Sequence, residues 1–112
     1  MSQDQAVAPG LEGVVFASAL VTTQPGTVVS RTLIRKPAGT VTAFAFDAGE
    51  GLSEHTAPFD ALALNLEGDA DISIADTPYR LGAGQILRLP AGQPHAVKAI
   101  TPFKMLLVMI KA

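Results

Sequence analysis

The chain has 112 residues, 48% of them apolar but only 5% aromatic and none of them Trp, so it is expected to be one domain with an interior of Val, Leu, Ile and Ala. Eight basic and ten acidic residues give a net charge of -2 without a basic block, which excludes a groove that tracks a phosphate backbone and removes nucleic acid as a partner. The absence of cysteine excludes disulfides, thiolate metal sites and a cysteine nucleophile.

Residues 1–12 include Asp4, Pro9 and Glu12 and lack a basic start; no secretory leader is expected, and the segment is expected to be a loose tail ahead of a single domain over 13–112. From there no stretch sustains the apolar spacing of a helix. The chain breaks every eight to twelve residues at Gly, Pro or Asp, with short pieces rich in Val, Ile, Leu and Thr between the breaks, the pattern of an all-β sandwich or barrel. Strands are expected over 14–21, 27–35, 40–47, 61–67, 70–75, 85–89, 95–100 and 103–110. Lys36-Pro37-Ala38-Gly39 reads as a tight turn, Glu67-Gly68-Asp69 as a short hairpin, and Pro90-Ala91-Gly92-Gln93-Pro94 as a turn just before His95.

The last of these strands is apolar on both faces after Lys104. Its outer face should therefore be covered, and a second copy of the chain, giving a homodimer, is expected in preference to cover by the N-terminal segment. Its run of apolar residues, 105–110, is far too short to cross a membrane. A soluble cytoplasmic protein with no membrane partner is expected.

Both histidines of the chain lie beside turns. Around the first, Gly49 is followed after five residues by His55, after one by Ala57, after three by Ala61 and after six by Gly68. Around the second, Gly84 is followed after five residues by Pro90, then Ala91 and Gly92, after two by His95 and after three by Ala99. These spacings resemble the two cupin motifs, G-x5-H-x-H-x3-E-x6-G and G-x5-P-x-G-x2-H-x3-N, over residues 49–99. The chain is thus similar to single-domain cupins of the RmlC-like type, whose fold is a double-stranded β-helix, a jelly-roll β-barrel. The resemblance implies a site where three imidazoles and a carboxylate meet a divalent iron, manganese, nickel or zinc ion. Here Ala57 stands at the second histidine position and Ala61 at the glutamate position. The implied metal site is reduced to His55 and His95, which would hold a divalent ion only weakly, even with Glu50, Glu54 or Asp60 and water. No cofactor is firmly implied and no catalytic residue is assigned.

The period-two rule places Ala61, Ala63 and Asn65 on one face, and His95, Val97 and Ala99 on another. Together with His55 and Ala57 they are expected to line a pocket for a small organic molecule, unless Phe44, Phe46, Phe59, Met105 or Met109 fills the space. Phe59 is expected as a core plug, Met105 and Met109 as gap fillers, Arg88 as a solvated edge charge, and Glu50 and Glu54 as solvated turn residues. The expected function is binding of a small organic molecule, with the two histidines as polar anchors and weak or no metal. A metal-dependent oxygenase or isomerase is the first alternative, and a structural or regulatory β dimer without ligand is the second. Ala57 and Ala61 count against the enzyme; the two histidines count against the ligand-free dimer.

Overall fold

The computed structural model describes Leu11 and residues 13–111; apart from Leu11, the expected tail lies outside the described residues. Two antiparallel sheets face each other. One runs in the order β1 (Val28–Lys36), β2 (Gly39–Phe46), β9 (Phe103–Ile110), β4 (Asp60–Glu67) and β7 (Ile86–Leu89). The other runs β3 (Gly51–His55), β8 (His95–Ala99), β5 (Ala70–Ile74) and β6 (Thr77–Leu81). This is the jelly-roll barrel that the motif spacing implies. No helix among the described residues is long and apolar enough to cross a membrane, which says nothing of spanning by strands.

Alternation builds the interior. Along β4, Ala61, Ala63 and Asn65 point inward while Asp60 and Leu62 are exposed, and β8 buries His95, Val97 and Ala99 in the same way. Between the sheets Phe46, Phe103 and Met105 join Ile72, Leu89 and Val97 in one cluster. The Phe46 and Phe103 rings pack at 5.3 Å between centroids, within the range in which aromatic pairs attract beyond their area burial.

A second, smaller cluster lies on the outer face of the five-stranded sheet, where Leu20 and Val21 cover Leu33, Ala43 and Ala45, with Leu11 and Leu106 against it. The chain's own N-terminal segment therefore covers part of the outer face of β9. This segment is not the strand expected over 14–21: it holds only a 3-10 turn, Ala17–Ala19. Side chains rather than a ladder fix it to the sheet, with Arg31 Nη1 donating to the Leu20 carbonyl at 3.0 Å and Lys104 Nζ to the Ser18 carbonyl at 2.8 Å.

The Pro37-Ala38 turn joins β1 to β2 with Lys36 opposite Gly39, as expected. The expected hairpin at Glu67-Gly68-Asp69 is instead a corner at which the chain leaves one sheet for the other. Gly68 has a φ of +83°, and a Cβ there would collide with the Pro102 carbonyl oxygen. Asn65 braces the corner, donating from Nδ2 to the Gly68 and Leu81 carbonyls at 2.8 and 3.0 Å while its Oδ1 accepts the Glu67 N–H at 2.7 Å. Strands β3 and β6 were not expected from the sequence.

Candidate functional site

Strand β3 pairs with β8 so that Gly51 faces Lys98, Leu52 faces Val97 and His55 faces His95. Three steps along β3 thus match two along β8, and the extra residue forms a bulge at Ser53–Glu54. Without the bulge, a residue three beyond the inward-facing Leu52 would point outward, because side chains alternate. The bulge absorbs one residue and returns His55 to the side of His95, as bulges beside binding sites do. The two rings meet edge to face, with centroids 4.3 Å apart and planes at 69°.

The turn ahead of His95 is fixed from three sides. The Gly92 N–H donates to the Ala57 carbonyl at 2.8 Å, the Ala91 N–H to Asp60 Oδ1 at 2.9 Å, and the Ala75 N–H to the Pro94 carbonyl at 2.9 Å. These bonds tie the loop that carries Ala57, the start of β4 and the end of β5 to one turn, which sets where β8 begins.

His55 is exposed, whereas His95 is 7% exposed. Each Nδ1 meets the carbonyl two residues earlier, His55 with Ser53 at 2.9 Å and His95 with Gln93 at 3.3 Å. A carbonyl can only accept, so each Nδ1 carries the hydrogen, and in the neutral ring Nε2 is left as the lone-pair acceptor. Burial pushes the His95 pKa below the ordinary imidazole value and the neighbouring His55 adds to that, while the Gln93 carbonyl opposes it. The pair sets one wet imidazole against a buried one whose charged form burial disfavours.

The other residues expected at the site divide. Ala57, half-buried in the loop after β3, and Ala61, buried at the start of β4, stand at this end of the barrel. Ala63, Val97 and Ala99 are buried in the main core cluster with Phe46, Phe103 and Met105. Asn65 lies four residues along β4 from Ala61, about 13 Å away at the usual rise, and its amide is engaged in the Gly68 corner. Met105 fills the core, as expected. Phe59 is only half-buried, with Lys111 Nζ 5.7 Å from its ring centre, and is not the expected core plug.

Residues that the sequence reading did not single out also face inward. Leu52, Leu87 and Leu107 are half-buried against the main cluster, and on β2 the alternation that turns Phe46 and the half-buried Phe44 inward continues to the half-buried Thr42 and Thr40. The Gly39-Thr40-Val41-Thr42 alternation was the available signal for that polar row.

The donor set does not fit a resident divalent ion. Among the described residues no group of three or more His, Cys, Asp or Glu side chains is placed to hold one, and one oxygen of Asp60, the carboxylate nearest Ala61 in sequence, is engaged by the Ala91 N–H.

Comparison with known proteins agrees with this architecture. The cupin domain family matches residues 43–110. A conserved protein of unknown function from Streptococcus pyogenes is 36% identical, with 90% of this chain and 89% of that one covered at a TM-score of 0.86. A cupin superfamily protein from Desulfitobacterium hafniense is 27% identical over 96% of each chain, at a TM-score of 0.87. A cupin 2 conserved barrel domain protein from Leptotrichia buccalis is 38% identical over 84% of this chain, which spans 46% of that longer one, at a TM-score of 0.81. A search of curated proteins found no match. The two facing sheets, the histidines brought together by their motif spacing and a family match over more than half of its length place this chain in the cupin domain family.

Proposed function

We propose that this chain binds a small organic molecule at the His55 and His95 end of the barrel, without depending on a resident metal. The observation that carries the reading is the imidazole pair: both rings present Nε2 as an acceptor, and burial holds His95 neutral. Two acceptors beside apolar walls select a ligand that brings its own donors. A hydroxyl-bearing or protonated organic compound fits this chemistry better than a carboxylate, which would need a protonated ring to receive it. The half-buried Leu52, Leu87 and Leu107 supply the apolar contact.

Nothing in the site favours the metal-dependent oxygenase or isomerase, since Ala57 and Ala61 contribute no ligand atoms. Two imidazoles with water leave a divalent ion short of its protein ligands.

The experiment is a thermal-shift screen of metal-free protein against hydroxylated and weakly acidic organic compounds, followed by calorimetry. A ligand at about 100 times its Kd should stabilise the fold by about 2.7 kcal/mol, and both His55→Ala and His95→Ala should lose that gain. A hit that binds the double variant as well as the native protein would overturn the assignment. So would tight, stoichiometric retention of a divalent ion after dialysis against chelator.

A further inference from the structure

The strand that carries His55 is not alone in using a bulge to aim a side chain. Two steps along β1, Thr32 to Ile34, match one along β2, Thr42 to Val41. The extra residue leaves Leu33 and Ile34 on the same outer side, Leu33 buried in the outer cluster and Ile34 opposite Val41, which packs against that cluster. Without it, Arg35, three residues beyond the inward-facing Thr32, would point outward. With it, Arg35 returns to the inner face, opposite Thr40. The side chain follows the backbone: Arg35 Nη2 donates to Thr32 Oγ1 at 3.4 Å.

The register puts this arginine level with the histidine site. Arg35 faces Thr40, Thr40 faces Met109 and Met109 faces Ala61, so one row across the five-stranded sheet runs from the guanidinium to the end of the barrel where His55 and His95 meet. The next row is Thr32, Thr42, Leu107 and Ala63. Both rows are polar on β1 and β2 and apolar from β9 onward, and Arg35 is their one charged member. Thr40 and Thr42 are half-buried and Arg35 is exposed, so solvent reaches the polar side. Among the described residues no carboxylate lies within ion-pair distance of Arg35.

We propose that Arg35, with the hydroxyls of Thr32, Thr40 and Thr42, forms an anion subsite for the ligand whose other end meets the two imidazoles, and that this ligand is a hydroxylated carboxylic acid. The proposal rests on the reading of the histidine end as a ligand site. It gives each part of the molecule a complementary wall. A hydroxyl donates to an imidazole, the hydrocarbon middle lies against Met109 and Leu107, and the carboxylate accepts from the guanidinium and the threonine hydroxyls. Thr40 and Ala61 are two strands apart, about 10 Å at the usual spacing, which sets the length. The planar fork of a guanidinium matches a carboxylate with two parallel hydrogen bonds, and its single charge suits a monoanion better than a phosphate monoester, which carries up to about two. Inward charge also guards an edge strand against pairing with other chains, and β1 is such a strand. That duty needs the charge alone and is indifferent to a ligand, so the two roles part in experiment.

Metal-free protein is titrated by calorimetry with ω-hydroxy carboxylic acids of increasing chain length, with the primary amide of each, and with the matching ω-hydroxyalkyl phosphates. The expected result is an acid of intermediate length that binds at least about tenfold more tightly than its amide, the scale of hydrogen bonds to a charged group. Arg35→Gln should bring acid and amide level, and Arg35→Lys, which keeps the charge but loses the fork, should fall between. His55→Ala and His95→Ala should weaken acid and amide alike. An acid that binds no better than its amide, or a preference undiminished in both Arg35 variants, would overturn the subsite while leaving the histidine site standing. A phosphate that outbinds the acid would overturn the carboxylate assignment. Binding of neither acid nor amide, or binding indifferent to both histidine variants, would overturn the reading on which the subsite rests. Arg35 is exposed on an edge strand, so its variants should fold, and circular dichroism checks that they do; should Arg35→Gln fail to fold, the comparison with Arg35→Lys decides.

Discussion

An imidazole buried against a second imidazole has two reasons to stay neutral, and both act on His95. Burial disfavours its charged form first, and the neighbouring His55 disfavours it further. In the unfolded chain the same ring titrates near 6.5. Between that value and the lower one in the fold, the unfolded chain holds more protons. Stability should therefore fall as the pH drops through this window and be level above it, as far as His95 is concerned. Ligand affinity should fall at lower pH, through the depressed value itself, because only there does the proton of the folded state compete for Nε2. Following the ring proton resonances by NMR against pH checks the order of causes. His55→Ala should move the His95 pKa upward while leaving it below the ordinary value, since burial remains; an unchanged titration would mean that the rings do not sense each other. Asn65 is the opposite kind of polar residue. Its amide holds two carbonyls and one N–H at a buried corner, and Asn65→Ala would strand those partners, at an expected cost of about 2–3 kcal/mol by denaturant unfolding.

Among the elements, β3 decides whether the histidines meet. Its bulge carries one residue more than β8 opposite, and parity gives a paired prediction. Deleting Glu54 alone should leave an even offset between Leu52 and the histidine, keeping the ring inward and the His95 pKa depressed. Deleting Ser53 and Glu54 together should turn the ring outward and raise that pKa; titration of both variants by NMR distinguishes the outcomes. The same bulge explains why the strand itself was not read in the sequence. Gly51-Leu52-Ser53-Glu54-His55 has a single large apolar residue and no alternation to recognise, although the spacing of the surrounding glycines pointed to the convergence of His55 and His95. Strand β6 was hidden differently. Pro78 argues against a strand, but β6 lies at a sheet edge, where a missing donor is tolerated. Its hairpin turns on Ala75 and Asp76, with φ of 48° and 70°, in place of the Asn-Gly or Asp-Gly that would have announced it. The stretch 14–21 erred the other way: its apolar character suits packing onto a sheet as well as pairing within one, and composition does not separate the two. Glu67-Gly68-Asp69 has turn residues, but nothing local tells a hairpin from a corner, since the difference lies in which distant strand pairs next.

In the whole molecule, the last strand was legible as apolar on both faces, and the fold shows two occupants for those faces: Met105 and Leu107 turn toward the main core, while Leu106 meets the N-terminal segment. The remaining outward half, Val108 and Ile110, is where the second copy expected from the sequence would find its contact. If that copy is present, the thermal midpoint should rise with protein concentration, because dissociation accompanies unfolding. Differential scanning calorimetry over a range of concentrations checks this, and Ile110→Asp should flatten the dependence.

The place of β9 between β2 and β4 also sets a schedule for the growing chain. As the polypeptide leaves the ribosome, β2 is made long before β9, since on the side away from β1 Gly39 finds its ladder partner only at Ile110. Until then its Ala43-Phe44-Ala45-Phe46 row has only the β1 hairpin beside it, and its other edge presents unpaired backbone groups that a neighbouring nascent chain can use. Closing so long a loop before any contact rewards it makes for slow acquisition of structure. The protein's exposure to misassembly is therefore greatest during synthesis, between the appearance of the first hairpin and the arrival of its central strand.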